Sequence, residues 1–300
     1  MQPMKRILRW VLICVLLLLA AAVSVPLFVR HRVYALPDWY PKAHLSEADQ
    51  AAAANRADQK LIQARSEIVG AYAAQTRATR AGTQPTSLPV SQFALKLSED
   101  EINSWIPKWE DELGWRGRVD QYLSDPTIVF NEDEIILAAT VKDWKTIVSL
   151  HVVPKLQNGK LLLSLRSVMA GTLPLPKVAW SSYQDRLLES VQAHLPEFRK
   201  QAAIDANGRA NAAAVSAAMN ELLIHSLNDE PAEPVLFLPD QFSRSPRSLP
   251  VQITGISIAE KVLTISVEPM DAAQRAAFLK HLRGPDAGST SSSDLAAESQ

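Results

Sequence analysis

One uncharged apolar run constrains what this chain can fold into more than any other feature. The run extends from Trp10 to Val29, has Leu16 and Leu19 near its middle, and contains no charged side chain. An α-helix of about 20 residues rises about 30 Å, the thickness of the hydrocarbon core of a bilayer. The sequence therefore predicts an N-terminal tail and transmembrane anchor over residues 1–32.

The alternative to an anchor is a cleaved signal peptide, for which Ala20 to Ala22 offer a cleavage site. The apolar core of a signal peptide normally has about 7–15 residues, so this run is too long for one. Basic residues lie on both sides of the run and specify its orientation only weakly. The short basic tail with Lys5, Arg6 and Arg9 favours a cytoplasmic N-terminus and places the rest of the chain outside the cytoplasm.

The composition of the chain narrows the possible classes of protein. It is 47% hydrophobic and 21% charged, which is enough apolar material for a packed core. A net charge of −1 gives no electrostatic basis for a nucleic-acid partner. The only cysteine, Cys14, lies inside the apolar run, so the remaining chain has neither a disulfide nor a thiolate metal site.

Changes in composition divide the rest of the chain into segments. Proline and aromatic residues follow the anchor, an alanine-rich stretch without proline comes next, and a second proline-containing stretch precedes alternating strand patterns. The predicted segments are a juxtamembrane connector over 33–45, an Ala-rich helix over 46–80, a linker over 81–92, an extracytoplasmic α+β domain over 93–283 and a Ser-rich disordered tail over 284–300.

The Ala-rich helix is either a stalk or dimerising coil, or a helix that packs on its own domain. Its apolar residues form one narrow stripe without sustained heptads, which favours packing on the domain. The residues of this stripe are Leu61, Ile62, Ile68, Val69 and Tyr72.

The segment after residue 92 has the local patterns of an α+β fold. Alternation from Phe93 to Leu97 predicts a strand, and Ser98 with Glu101 forms a capping box for a helix. Asn158-Gly159 predicts a tight hairpin, and a change of apolar parity after Gly255 predicts a β-bulge. We expect a curved antiparallel sheet packed on helices.

The sequence contains no recognised motif for catalysis, metal binding or cofactor binding. It has no GxSxG elbow, no phosphate-binding loop and no dinucleotide fingerprint, and no two histidines lie three or four residues apart. His151 is expected to be solvated or hydrogen-bonded on a strand rather than a catalytic base. We therefore expect a protein that is not an enzyme and that needs neither a cofactor nor a metal.

A cluster of aromatic and aliphatic residues suggests an apolar pocket. Four of them fall on one face of the helix after Ser98, and two lie on the second face of the predicted strands, among polar residues. Ordinary core packing is the alternative explanation. The candidate pocket residues are Ile102, Trp105, Ile106, Trp109, Ile136 and Leu162.

Four motifs in a fixed order resemble a known family. They are an L-S-x-x-E-I-N segment at Leu97–Asn103, a strand pair at Asp125–Leu137, a hairpin at Pro154–Leu163 and a G-x-L-P-L-P loop at Gly171–Pro176. Their order resembles the YpmS-type family of membrane-anchored proteins and, more distantly, TULIP-like lipid-binding envelope proteins. The resemblance implies a curved sheet wrapped on a helix, the capacity to bind a hydrophobic ligand, and no active-site residues.

Two functional hypotheses follow, and a third class, a hydrolase, is disfavoured because the sequence supplies no convergent polar groups for a cleft. The first is a single-pass protein of the cell membrane whose extracytoplasmic module binds a lipid or another apolar ligand without catalysis. The second is a bitopic scaffold that binds other proteins of the cell envelope. A ligand binder needs an apolar cavity of about 300 Å³ or more, whereas a scaffold needs a large exposed apolar surface or an open strand edge.

The anchor prediction is tested by fractionation. Full-length protein should pellet with membranes and resist carbonate extraction, because the run from Trp10 to Val29 has no charge to keep it in water. Residues 33–300 alone should remain in the supernatant. A native N-terminus near Val23 or later would contradict the anchor.

Overall fold

The structure, a computed structural model, describes residue 24 and residues 27–40, 45–80, 93–113, 122–205, 208–239, 247–259 and 261–284. None of the helices in these ranges is both long and apolar enough to cross a membrane. Most of the predicted anchor, including Trp10, Leu16 and Leu19, lies outside the described residues, as does the predicted linker 81–92. Val29 is described and lies exposed in a short helix.

The described part of the chain is α+β, as the sequence predicts. Its helices are α1 (27–34), α2 (Glu47–Arg80), α3 (Glu99–Leu113), α4 (Lys177–Gln201), α5 (Ala212–Leu227) and α6 (Ala272–Arg283). Its strands are β1 (Phe93–Ser98), β2 (Leu123–Asn131), β3 (Glu134–Val141), β4 (Thr146–Gln157), β5 (Lys160–Ala170), β6 (Leu173–Pro174), β7 (Ala210–Asn211), β8 (Val235–Pro239), β9 (Arg247–Ala259) and β10 (Val262–Pro269).

The strands form two antiparallel sheets rather than the single curved sheet expected from the sequence. The first sheet has the order β1-β10-β9-β7, and β8 also pairs with β9. The second sheet is a meander with the order β2-β3-β4-β5-β6. The strand before α3 therefore pairs with the last strand of the domain instead of joining the meander. Such a pairing between distant segments leaves no local signal in the sequence.

The predicted turns are present where the sequence places them. Asn158 and Gly159 both have positive φ, 51° and 72°, as a two-residue hairpin turn of this kind requires. In β9, Gly255 lies opposite Ser266 and Ile253 lies opposite Val267, so Thr254 is the extra residue of a β-bulge.

The long helix α2 packs on its own domain. Ile68 and Tyr72 are buried in a cluster with residues of β8, β9 and β10, and Ala57 and Ala64 are also buried. The Tyr72 hydroxyl donates to the carbonyl of Pro250 at 2.6 Å. Helix α2 is thus part of the domain core, which is the arrangement that its narrow apolar stripe favours.

The first turn of α3 joins α2 to β1 through a buried carboxylate. Glu101 accepts hydrogen bonds from the backbone N–H of Ser98 at 2.9 Å and from Lys60 of α2 at 2.8 Å. Lys60 also donates to the carbonyl of Lys96 in β1 at 2.9 Å. The capping box predicted from Ser98 and Glu101 is present, and its carboxylate additionally fixes α2.

The same turn of α3 covers the free edge of β2. The Asn103 side chain donates to the carbonyl of Ile128 and accepts from its N–H, both at 2.7 Å. Glu99 accepts from the N–H of Phe130 at 2.7 Å. These side chains take the place of a neighbouring strand for both backbone groups of Ile128 and for the N–H of Phe130, so α3 connects the two sheets.

Two helices continue through a proline, a residue that commonly ends a helix. Pro107 lies inside α3, which extends to Leu113, and Pro196 lies inside α4, which extends to Gln201. A proline in a helix removes one backbone hydrogen bond, and packing can compensate for that loss. Leu195, next to Pro196, is buried with Phe278 in a separate group of core residues between α4, α5 and α6.

The Glu101 carboxylate should make folding sensitive to acid. Burial raises its pKa, but hydrogen bonds from Lys60 and from the Ser98 N–H outweigh that effect, and the pKa lies below its usual value. A carboxyl whose pKa is lower in the folded state stabilises the fold above its unfolded pKa of about 4.3 and loses this contribution as the pH falls.

Glu101→Gln should therefore lower the free energy of unfolding by about 1.5–3 kcal/mol at pH 7, the usual contribution of a hydrogen bond to a charged group. It should also flatten the loss of stability between about pH 5 and pH 3. Thermal unfolding of the full chain across this range provides the measurement. The control is Glu67→Gln, which changes an exposed glutamate of α2. Equal pH profiles for both variants would contradict the role of Glu101.

Candidate functional site

The meander has one face toward the first sheet and a second face directed away from it. Phe130 and Ile135 are on the first of these, where they pack against Ile258 and Leu263. Strand register places the alternate residues on the other side, which we call the second face. Its described members include Thr127, Val129, Glu134, Ile136, Ala138, Thr140, Ile147, Ser149, His151, Leu162 and Met169.

The second face is well buried and carries both apolar and polar residues. Ile136, Ala138 and Ile147 are buried there, and so are the polar side chains of Glu134 and Ser149. Buried polar groups are normally satisfied by hydrogen bonds, because leaving them unpaired costs about 1–3 kcal/mol each. A face that only packs in a core would not need buried polar side chains such as Glu134 and Ser149.

The structure separates the six candidate pocket residues. Ile136 and Leu162 lie on the second face of the meander, as the sequence predicts. Ile102 instead packs beside Phe130 on the face toward the first sheet. The meander itself therefore lies between Ile102 and the two strand residues.

Trp105, another of the candidate pocket residues on α3, does not line a common pocket with the two candidates on the strands. The Trp105 indole N–H donates to the carboxylate of Asp58 in α2 at 2.9 Å, so this side chain faces the long helix. Ile106 is partly buried, and Trp109 lies in the same helix with only its backbone described. Trp105 thus links α3 to α2 rather than lining a cavity with Ile136.

Helix α1 ends against the meander. The carbonyl of Arg32 accepts from the N–H of Thr172 at 2.9 Å, and the carbonyl of Val33 accepts from the hydroxyl of Thr146. These bonds satisfy carbonyls at the end of a helix, which have no partner within it. They attach the segment that follows the predicted anchor directly to β4 and to the turn after β5.

Gly171 makes this close approach possible. It has a φ of +58°, and a Cβ added to it would lie 2.2 Å from the carbonyl oxygen of Val33. A side chain at this position would therefore collide with the backbone of residues 27–40, which we call the N-terminal segment. The G-x-L-P-L-P motif at Gly171–Pro176 begins with glycine because a backbone passes over it.

A cavity of about 270 Å³ lies between the N-terminal segment and the second face of the meander. Tyr40 closes one side of it through a hydrogen bond of 3.2 Å between its hydroxyl and that of Thr140. The lining residues are Tyr34, Ala35, Leu36, Tyr40, Asp125, Thr140, Lys145, Thr146 and Ile147.

A second, more open space of about 330 Å³ adjoins this cavity along α1. It is lined by Arg30, His31, Tyr34 and Ala35, so Tyr34 and Ala35 border both spaces. The second space therefore connects the cavity on the meander to the surface of α1, whose first residues are the last residues of the apolar run. Small-molecule sites commonly occupy about 300–1,000 Å³, so the first cavity alone lies just below that range and the adjoining space is needed to reach it.

Exposed aromatic residues surround this end of the domain. Tyr34, Tyr122, Trp144 and Tyr183 have 55%, 60%, 48% and 56% of their surface accessible. The N–H of Lys142 donates to the carbonyl of Tyr122 at 2.9 Å, and the Trp144 and Tyr183 rings meet edge to face at 6.4 Å. Rings with one apolar and one polar end are typical of the membrane–water interface.

A third space, between α5 and α6, is too small for a ligand. Its volume is about 30 Å³, enough for little more than a water molecule. Buried Glu221 borders it and is paired with Arg199 at 2.5 Å and with His281 at 3.2 Å. This ionic group therefore ties α4, α5 and α6 together.

The structure also brings together three polar residues of the second face that the sequence analysis did not connect. The Ser149 hydroxyl lies 3.3 Å from Nε2 of His151, and Nδ1 of His151 lies 3.2 Å from a carboxylate oxygen of Glu134. We call Ser149, His151 and Glu134 the polar row. Aligning β3 with β4 through the turn at 142–145 would have revealed the row from the sequence. This alignment places Ile136 opposite His151, and Glu134 diagonally from His151.

No group of three or more metal-binding side chains is present among the residues that the structure describes. Comparison with protein families, curated proteins and solved structures finds no match for this chain.

The attachment of α1 to the meander is tested at Gly171. Gly171→Ala should detach this segment, since its methyl group would overlap the Val33 carbonyl. Gly159→Ala is the matched control, because it also has a positive φ, of +72°, but no atom lies within 4 Å of the added carbon. Both variants share the conformational penalty of alanine at positive φ, about 1 kcal/mol.

The measurement is tryptic cleavage after Arg30 and Arg32 in membranes containing the full chain. In the open form, α1 is detached from the meander and trypsin can reach both arginines. If the clash in Gly171→Ala favours the open form by about 1.4 kcal/mol, that form is tenfold more populated and cleavage should be about tenfold faster. Equal cleavage rates in Gly171→Ala and Gly159→Ala would mean that α1 is not held at this position.

Proposed function

We propose that this protein is a single-pass protein of the cell membrane whose extracytoplasmic α+β domain binds a lipid or another apolar ligand. The observation that carries the proposal is the cavity between the N-terminal segment and the second face of the meander. It is located where the chain leaves the predicted anchor, so a ligand from the bilayer would have the shortest path to it. The resemblance to YpmS-type and TULIP-like proteins is part of the same proposal.

The chemistry of the lining suits an amphipathic ligand. Ile147 and Leu36 provide apolar surface, while Lys145 provides a cation at the rim. Arg30 and His31 border the adjoining open space. An apolar chain would be favoured by about 25 cal/mol for each Å² removed from water, before the cost of ordering it. Asp125 also lines the cavity and offsets Lys145, so Arg30 of the adjoining space is the cation that would favour an anionic headgroup.

The exposed aromatic residues support a location of this end of the domain at the bilayer surface. Tyr34 and Trp144 would lie at the level of the lipid headgroups, as aromatic belts do in membrane proteins. Such a location would place the cavity beside the lipids. Because α1 is hydrogen-bonded to the meander, the domain would be held in one orientation relative to its anchor.

A scaffold is the second candidate, and the outer side of α2 favours it. Ile62 and Val69 lie seven residues apart, and each has 42% of its surface accessible. Residues seven apart lie on the same side of a helix and could contact a helix of another protein.

Lipid binding is tested by cross-linking the full chain, in lipid nanodiscs, to a photoactivatable fatty acid or phospholipid at micromolar concentration. Ala35→Trp should reduce the yield by at least about tenfold, or 1.4 kcal/mol, since Ala35 borders both spaces and an indole would fill the passage. Ala94→Trp is the control, because Ala94 is exposed on β1. Native mass spectrometry of the purified chain would identify a lipid that co-purifies.

Two results would contradict the proposal. One is a wild-type chain that captures neither probe, and the other is an equal effect of Ala35→Trp and Ala94→Trp. In either case the exposed side of α2 becomes the surface to examine, as the scaffold hypothesis requires.

A further inference from the structure

The polar row has the order of groups found in serine hydrolases. Ser149 is hydrogen-bonded to one ring nitrogen of His151, and Glu134 is 3.2 Å from the other. With the proton on Nδ1, His151 donates to Glu134 and accepts the Ser149 hydroxyl proton at Nε2. We propose that Ser149 is a nucleophile that His151 activates as general base and Glu134 orients, and that this site hydrolyses an ester.

Two adjacent strands fix the row. Ser149 and His151 are two residues apart in β4, so their side chains leave the same face of the sheet, and Glu134 is on the neighbouring strand β3. Nucleophile, base and orienting acid are recognised by their geometry rather than by fold or chain order. The distance of 3.3 Å between Ser149 and His151 is slightly longer than the usual reach of about 2.6–3.2 Å, as is common before substrate binds.

The surroundings of the polar row favour a reactive site over a group that only stabilises the fold. Ser149 has 1% of its surface accessible, and its neighbours across the strands, Ala138 and Met169, are apolar. Burying a carboxylate beside a histidine is expensive, and apolar residues of similar size commonly stabilise a core as well or better. A low local dielectric also strengthens the interaction of the His151 imidazolium, formed during the reaction, with Glu134.

The substrate class follows from the cavity and rests on the proposed function. Ile147 lines the cavity and lies two residues before Ser149 on the same strand face, about 7 Å away along the strand. Ser149 is buried and does not line the cavity, so an ester carbonyl reaches it only when the bound chain displaces the side chains that cover the second face beyond Ile147. The substrate would be a fatty-acyl ester from the membrane.

The reaction needs only water as a second reactant. The Ser149 oxygen bonds to the ester carbonyl carbon while its proton moves to Nε2 of His151. The bond to the alcohol oxygen breaks, and that oxygen takes the proton from His151. Water then attacks the acyl-serine, gives its proton to His151 and releases the carboxylic acid, and the proton returns to the Ser149 oxygen.

The test is covalent labelling of the full chain in lipid nanodiscs with a long-chain alkyl fluorophosphonate. Peptide mapping should place the adduct on Ser149, and Ser149→Ala should abolish it. His151→Gln should slow labelling by about 10²-fold or more, the usual contribution of a general base. Ser167→Ala is the matched control, because Ser167 lies opposite His151 on the same face and its loss should leave labelling unchanged. Melting temperatures of all variants establish that they are folded.

The outcomes separate this inference from the lipid-binding proposal. Photo-cross-linking of the fatty acid to wild type and to Ser149→Ala is measured in parallel. Lipid capture without an adduct, an adduct that persists in Ser149→Ala, or labelling unaffected by His151→Gln would each overturn the nucleophile. An adduct on Ser149 without lipid capture would support the nucleophile and overturn only the lipid site.

Discussion

The architecture depends on one short stretch of chain, the first turn of α3. There the buried Glu101 carboxylate binds Lys60 of the long helix and the backbone of Ser98. On the opposite side, Glu99 and Asn103 bind the edge of β2. Because one turn of helix holds α2, β1 and β2, both sheets and the long helix have fixed positions relative to each other. A buried carboxylate is tolerated there because Lys60 and an N–H satisfy it.

The sequence predicted the features that depend on neighbouring residues. The capping box at Ser98 and Glu101, the hairpin at Asn158-Gly159 and the bulge near Gly255 each follow from local backbone chemistry, and the structure contains all three. The division into two sheets was not predicted, since the pairing of β1 with β10 joins segments more than 160 residues apart. The L-S-x-x-E-I-N motif also has a structural role, because Glu101 and Asn103 serve as links between elements.

The candidate site was predicted only in part, for the same reason. Alternation within strands correctly placed Ile136 and Leu162 on the second face. The direction of α3 is set by contacts with distant residues, such as the bond from Trp105 to Asp58, so Ile102 and Trp105 could not be assigned from periodicity. The cavity likewise depends on where the N-terminal segment meets the meander. Gly171 permits this contact because it has no side chain to collide with the Val33 carbonyl. The sequence does not show this role, since nothing in it places Val33 next to Gly171.

The second face of the meander carries the polar row and borders the cavity. At one end it borders the cavity that the N-terminal segment encloses, and farther along the same strands it carries the polar row. Apolar side chains such as Ile136 and Ile147 make this environment poorly solvated, which strengthens hydrogen bonds among Ser149, His151 and Glu134. The proposed lipid binding and the proposed ester chemistry would require the same physical condition, a water-poor sheet face held beside the membrane. In both proposals the contact between the end of α1 and the meander would set that condition.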